Sequence, residues 1–167
     1  MEAIEIREAQ TGDADTIRHL NMEAFGQPQE AQLVDALRNN CSDLLSLVAV
    51  DGEDIVGHIL FSPAVLDDVE GMGLAPMAVI PARQRDGIGS ELVRAGLAKL
   101  EERGCPFVIV LGHADYYPRF GFERASVRGV RCEWDVPDEV FMLLVLDKTA
   151  MSGVSGLARY RPEFAQV

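Results

Sequence analysis

Val79-Ile80-Pro81-Ala82-Arg83-Gln84-Arg85-Asp86-Gly87-Ile88-Gly89-Ser90 is the stretch on which the fold turns. An apolar strand end runs into a polar, basic turn with two glycines, and the turn opens a long helix. The first amides of a helix lack internal carbonyl partners and point outward. The helix dipole adds roughly half a positive charge there. Gly87 and Gly89 let a ligand approach the backbone with no side chain in the way. Arg83 and Arg85 add positive charge. Such a site suits a diphosphate. The same residues also suit a tight strand–helix turn whose glycines serve packing alone. Two other phosphate motifs fail. Leu92 stands where the Rossmann fingerprint starting at Gly87 needs its third glycine. No Gly-Lys-Ser/Thr follows, which excludes a P-loop.

Outward from the loop, the helix is expected over Asp86 to Arg103. Ile88, Leu92, Ala95, Leu97 and Leu100 form its apolar face, and Gly104 its cap. Before the loop, Leu74 to Ile80 reads as a strand interrupted at Pro76, since proline gives no N–H to a ladder. After the helix, Phe107 to Leu111 reads as a strand buried on both faces. Asp115 to Phe120 reads as a short helical turn and Phe141 to Leu146 as the final strand. Towards the N-terminus, Leu45 to Val50 and Ile55 to Phe61 form a hairpin across an acidic turn, its second strand ended by Pro63. An acidic loop, Asp67 to Gly71, follows. Ile4 and Ile6 mark a first strand, and Thr11-Gly12-Asp13 a turn and N-cap. Ile17, Leu20, Met22 and Phe25 fall at roughly helical spacing on a first helix, broken at Gly26-Gln27-Pro28. Ala31, Leu33, Val34 and Leu37 face inward on a second. The last twenty residues are poorly patterned and are expected to wrap the surface. This order gives an α/β chain with a mixed central sheet of six to seven strands and about four helices.

Length and charge bound the function. A chain of 167 residues suits one domain, 1–167, with a core over about 3–148 and an extension over 149–167. The net charge of -12 argues against nucleic-acid binding, which needs a basic footprint. No apolar run reaches the length that crosses a bilayer, and no membrane partner is expected. The acidic start, Met1-Glu2-Ala3-Ile4-Glu5, argues against a secretory signal. Cys41, Cys105 and Cys132 are scattered, so neither a metal site nor a disulfide framework is indicated. A cytoplasmic protein with reduced thiols is expected.

Val79-x-Pro81-x-x-Gln84-x-x-Gly87-x-Gly89 resembles the acetyl-CoA signature of the GNAT superfamily of N-acetyltransferases. Tyr116-Tyr117-Pro118-Arg119-Phe120-Gly121-Phe122 is similar to that family's tyrosine ahead of a Gly-Phe pair. Gly57-His58-Ile59-Leu60-Phe61-Ser62 and Val110-Leu111-Gly112 resemble its YhbS-like branch. The resemblance implies a single-domain GNAT fold and an acetyltransferase with acetyl-CoA as cosubstrate. It implies that Met77, Ala78 and Val79 bind pantetheine through their backbone. It implies that the amides of Gln84, Arg85, Asp86, Gly87, Ile88, Gly89 and Ser90 hold the pyrophosphate. Gln84 stands where many relatives carry arginine, a loss that Arg83 and Arg85 offset.

Tyr117 falls at the family's general-acid position. A departing thiolate whose thiol has a pKa near ~8.5 can take a proton from a buried phenol near ~10 at modest cost. A core tyrosine capping a backbone group is the other reading, and Tyr116 is the nearest substitute. An alkylamine acceptor with pKa ~10.4 is neutral about once in 2,500 molecules at pH 7, so a base or a water chain would help. Glu30 and His58 are candidates, although each is also readable as structural. Nothing suggests a covalent acyl intermediate, so transfer to a primary amine of a small molecule, peptide or protein is expected to be direct. The first two helices, Asp67 to Met72 and Val127 to Pro137 are expected to shape the acceptor site, with Trp134 lining it or packed. A non-catalytic acyl-CoA sensor is the alternative, and a dinucleotide oxidoreductase is disfavoured by the broken fingerprint. Analogy with the family would make the chain a homodimer.

Overall fold

The computed structural model describes residues 4–166. Met1 to Ala3 of the acidic N-terminus therefore lie outside the described residues. Contacts divide the chain into two compact units. Of the described residues, the first holds 4–61, 76–97 and 162–166, and the second holds 62–75 and 98–161.

In the first unit, β1 (Glu5–Glu8), β2 (Leu45–Asp51) and the first part of β3 (Asp54–Leu66) pair antiparallel in that order. The hairpin between β2 and β3 closes at Asp51 opposite Asp54, with Gly52 at positive φ. Two helices, α1 (Ala14–Phe25) and α2 (Gln29–Asn40), follow β1. Gly26 ends α1 in the left-handed conformation, where a side chain would clash. Ile17, Leu33, Val34, Leu37, Val48, Val50 and Leu60 form one buried cluster. Met22 and Phe25, which share the helical spacing of Ile17 and Leu20, are 42% and 39% exposed. Asn21 takes the inward position instead, fully buried. Asp13 does not cap α1 with its side chain. Its carboxylate accepts from the Gln10 N–H at 2.7 Å and pairs with Arg7 at 2.8 Å.

The helix after the loop, α3 (Ile88–Glu102), begins two residues later than expected. Gly87 has φ 85°, outside the helical region, and so holds the turn open one residue longer. Two glycines seat α3. A Cβ on Gly57 of β3 would lie 3.0 Å from Ile88, and one on Gly96 of α3 would lie 2.3 Å from the Phe61 ring. Backbone and ring approach because no side chain separates them. Ala95, expected inward, is half-buried, and Val93 is fully buried in its place.

In the second unit, β4 (Val69–Val79) pairs parallel with β5 (Phe107–Leu111), and β5 pairs antiparallel with β8 (Phe141–Val145). Between them in sequence lie β6 (Glu123–Arg124), which pairs with β8, and β7 (Val130–Cys132). A last strand, β9 (Gly156–Arg159), pairs with β3 and β7. The mixed α/β sheet expected is thus present, with nine strands and three α-helices among the described residues. The short turn expected at Asp115 to Phe120 is a 3-10 turn over Tyr117–Phe120. The tail does more than wrap the surface: Met151, Ala158 and Tyr160 are 4%, 1% and 7% exposed.

Both proline boundaries move. The strand expected to stop at Pro63 runs on to Leu66. The β2 ladder ends at Phe61 and the β9 ladder starts at Val65, so neither asks Pro63 for an N–H. The strand expected to be interrupted at Pro76 runs unbroken, and its ladder to β5 covers only Met72 to Leu74. The acidic loop shrinks to a turn at Asp67 and Asp68, with Asp67 at φ 54°.

Candidate active site

The loop belongs to the first unit and Tyr117 to the second; each is described on its own.

Met77, Ala78 and Val79 form the end of β4, with Ala78 buried and its neighbours half-buried. The Gln84 amide Nε2 donates to the Val79 carbonyl at 3.0 Å, tying the first loop residue to the strand end. Arg85 and Gly87 have φ 71° and 85°. Non-glycine residues rarely occupy that region, so Arg85 is held there by its surroundings. A Cβ on Gly87 would meet nothing within 4 Å, so the space beside the loop is open. The helical ladder starts with the Glu91 N–H donating to the Gly87 carbonyl at 3.1 Å. The Ile88 and Gly89 amides therefore precede it. The Ile88 side chain is buried, so only its backbone faces the loop. Ser90 is half-buried in the first turn.

Arg83 does not add charge to this site as expected. Its guanidinium donates to Asp51 at 2.5 Å and Asp86 at 3.3 Å. Those two carboxylates hold its pKa above the ordinary arginine value, the Asp51 bond contributing most. Asp86 is thereby engaged through its side chain, and its amide is what remains for a ligand. Arg85 is exposed and makes no ion pair among the described residues.

Tyr117 opens its 3-10 turn and is 7% exposed. Its ring lies on Gly112, where a Cβ would come within 2.2 Å of Cε2. Tyr116 and Phe122 meet it edge-on at 5.0 and 5.7 Å. Burial, with Tyr116 adding a smaller push, raises its pKa to about 12. Tyr117 is therefore a protonated phenol throughout the physiological range. Tyr116 sits nearer the surface, its ring covered by the Arg119 guanidinium at 4.4 Å.

The two candidate bases stand differently. His58 is fully buried on β3. Its Nε2 lies 2.9 Å from Ser46 Oγ and its Nδ1 3.4 Å from Asn21 Nδ2. Burial first, and the Arg38 charge second, push its pKa down to about 3. A neutral imidazole with two polar neighbours inside the first unit is a structural group. Glu30 is half-buried on α2, and both its oxygens accept from Gln27 at 3.0 Å.

Trp134 is a packed aromatic. It stacks on Tyr160 with centroids 5.4 Å apart and 22° between planes. Sequence reasoning passed over Tyr160, because the strand before it, Gly156–Arg159, is too short to show a period. Among the described residues no group of three His, Cys, Asp or Glu side chains could hold a metal ion. No helix among them is long and apolar enough to cross a membrane.

Residues 5–125 match the family model described as an acetyltransferase (GNAT) domain. The uncharacterized N-acetyltransferase YhbS of Escherichia coli K12 is 37% identical over 155 residues, 91% of this chain and 93% of YhbS. The crystal structure of E. coli YhbS in complex with CoA matches with a TM-score of 0.91 at 35% identity, over 97% of this chain and 92% of that one. A GNAT family acetyltransferase of Brucella melitensis, crystallised with acetyl-CoA, matches with a TM-score of 0.80 at 33% identity, over 97% and 98%.

Proposed function

Because the chain belongs to the GNAT family of acetyltransferases, in its YhbS-like branch, we propose that it moves an acetyl group from acetyl-CoA directly to a primary amine. Bound acetyl-CoA supplies the acetyl group as a thioester. The Ile88 and Gly89 amides, the turn from Gln84 to Gly87 and the exposed Arg85 hold its diphosphate. The open space beside Gly87 supports this fit. The backbone of Met77, Ala78 and Val79 holds the pantetheine arm, past the last residue of β4 that pairs with β5.

Tyr117 carries the chemical part of the reading. The amine nitrogen bonds to the carbonyl carbon, the C–S bond breaks, and the Tyr117 hydroxyl gives its proton to the departing sulfur. The amine's own proton leaves to water, and water returns a proton to the Tyr117 phenolate. With its pKa about 12, Tyr117 is a weaker acid than a free phenol, so it gives its proton to the sulfur only as negative charge builds there in the transition state. A domain that only stored acyl-CoA would have no use for such a donor. We read residues 1–167 as one acetyltransferase domain with its tail included, supported by the match to YhbS over 97% of the chain.

The test is release of free thiol across an amine panel, with Tyr117→Phe beside wild type. The variant is expected to lose at least about tenfold in kcat while its KM for acetyl-CoA stays within about twofold. Equal turnover in both proteins removes Tyr117 from the mechanism.

A further inference from the structure

We infer that Tyr160, supplied by the C-terminal tail beyond the residues matched by the family model, is a positioning residue for the Tyr117 proton donor. The inference rests on the reading of Tyr117 as the general acid. It starts from a pair of glycines on one face of β4. A Cβ on Gly71 would lie 2.6 Å from the Phe107 ring, and one on Gly73 would lie 2.5 Å from the Tyr160 ring. The bare backbone of β4 is thus the floor on which the Tyr160 ring lies. Gly73 pairs with Ile109, and the β4–β5 ladder ends one residue later, at Leu74 and Val110. Tyr160 therefore sits where β4 and β5 cease to pair.

Its other contacts fix it there. Trp134 stacks on it, and its backbone N–H donates to Glu133 Oε1 at 3.1 Å. Its oxygen is faced by the Leu111 backbone amide, and Cys132, Glu133 and Tyr117 are the titratable groups around it. The residue after Leu111 is Gly112, on which the Tyr117 ring rests. Gly112 is itself held to β8, its N–H donating to the Val140 carbonyl at 3.0 Å. Two buried phenols thus lie beside one strand end, Tyr160 towards Leu111 and Tyr117 on Gly112. A shift of the strand end moves the donor, and small misplacements of a reacting group cost rate steeply. It also admits water to the Tyr117 pocket, which Tyr116 borders from the other side.

Two variants disturb Tyr160 differently. Tyr160→Phe removes the hydroxyl and keeps the ring, while Gly73→Ala pushes the ring and keeps the hydroxyl. Each is measured for kcat, KM for acetyl-CoA, the alkaline side of the pH–rate profile and Tm, with Tyr117→Phe in parallel. The expected result is a kcat about tenfold lower in both, with KM for acetyl-CoA within about twofold. The alkaline fall in kcat, beyond reach in wild type, should enter the range below pH ~10.5 as Tyr117 becomes better solvated. A purely structural role would lower Tm without moving that limb. If Tyr117→Phe is impaired but Tyr160→Phe keeps wild-type kcat and profile, the inference fails and the acid reading stands. If Tyr117→Phe is itself unimpaired, both fail.

Discussion

His58 shows how one side chain couples the fold to pH. The folded chain keeps its imidazole neutral down to about 3, whereas an unfolded one protonates near 6.5. The folded pKa is the depressed one, so the stability tied to this group is complete above pH 6.5. It declines as acid rises, by up to about 1.4 kcal/mol per pH unit, because only the unfolded chain takes up the proton. Urea unfolding at pH 7.5 and 5.0 should show a larger acid loss in wild type than in His58→Gln. Parallel losses in the two proteins would rule the account out. Gly112 makes a second test at this scale. A Cβ there would lie 2.2 Å from the Tyr117 ring, so Gly112→Ala must displace the phenol or the strand. Its kcat is expected to fall about as far as that of Tyr117→Phe, with a stability loss of about 1–3 kcal/mol from overpacking. Thiol release and thermal melting measure the two effects separately. From sequence, Tyr117 was legible through its motif and its acid chemistry. Its seat was not, because Gly112 is meaningful only once the ring has been placed upon it.

At the scale of the element, the turn before α3 was readable because its two glycines sit in a longer signature between a strand end and an amphipathic helix. What sequence could not give was the fate of its arginines. Arg83 and Asp51 are 32 residues apart, and their bond exists only because the β2–β3 hairpin places Asp51 within reach. Proline misled in a different way. Pro63 and Pro76 forbid a hydrogen bond, not a strand, and each lies beyond the end of a neighbouring ladder. Gly87→Ala isolates the backbone contribution of the loop. Its Cβ would touch nothing, so the whole effect comes from φ 85°. Holding alanine there costs about 1–2 kcal/mol. If the amides grip the diphosphate in this geometry, calorimetry should find CoA affinity reduced about five- to thirtyfold. Unchanged affinity would mean that the loop does not bind in the conformation described.

At the scale of the whole molecule, the tail is the part that sequence misjudged. Three short strands, β6, β7 and β9, span two to four residues each, too few for periodicity to register. Their partners decide them instead, and β9 becomes a strand because β3 and β7 offer edges to it. The tail also divides its contribution. Up to Arg161 it belongs to the second unit, with Met151, Ala158 and Tyr160 buried, and from Pro162 it belongs to the first. There Phe164 packs against the cluster of Ile17, Leu33, Val34 and Leu37. Two truncations should therefore differ in kind. Ending the chain at Arg161 removes one half-buried ring, a loss of about 1–3 kcal/mol, which at this chain length lowers Tm by about 3–9 °C. Ending it at Lys148 also removes β9 and three buried side chains, the Tyr160 ring over Gly73 among them. That loss rivals the typical ~5–15 kcal/mol stability of a natural domain, and no cooperative melt is expected by calorimetry. A chain of residues 1–148 that melts sharply within a few degrees of wild type would show that the tail is an ornament after all. The graded outcome would show that each unit is closed by a different part of it.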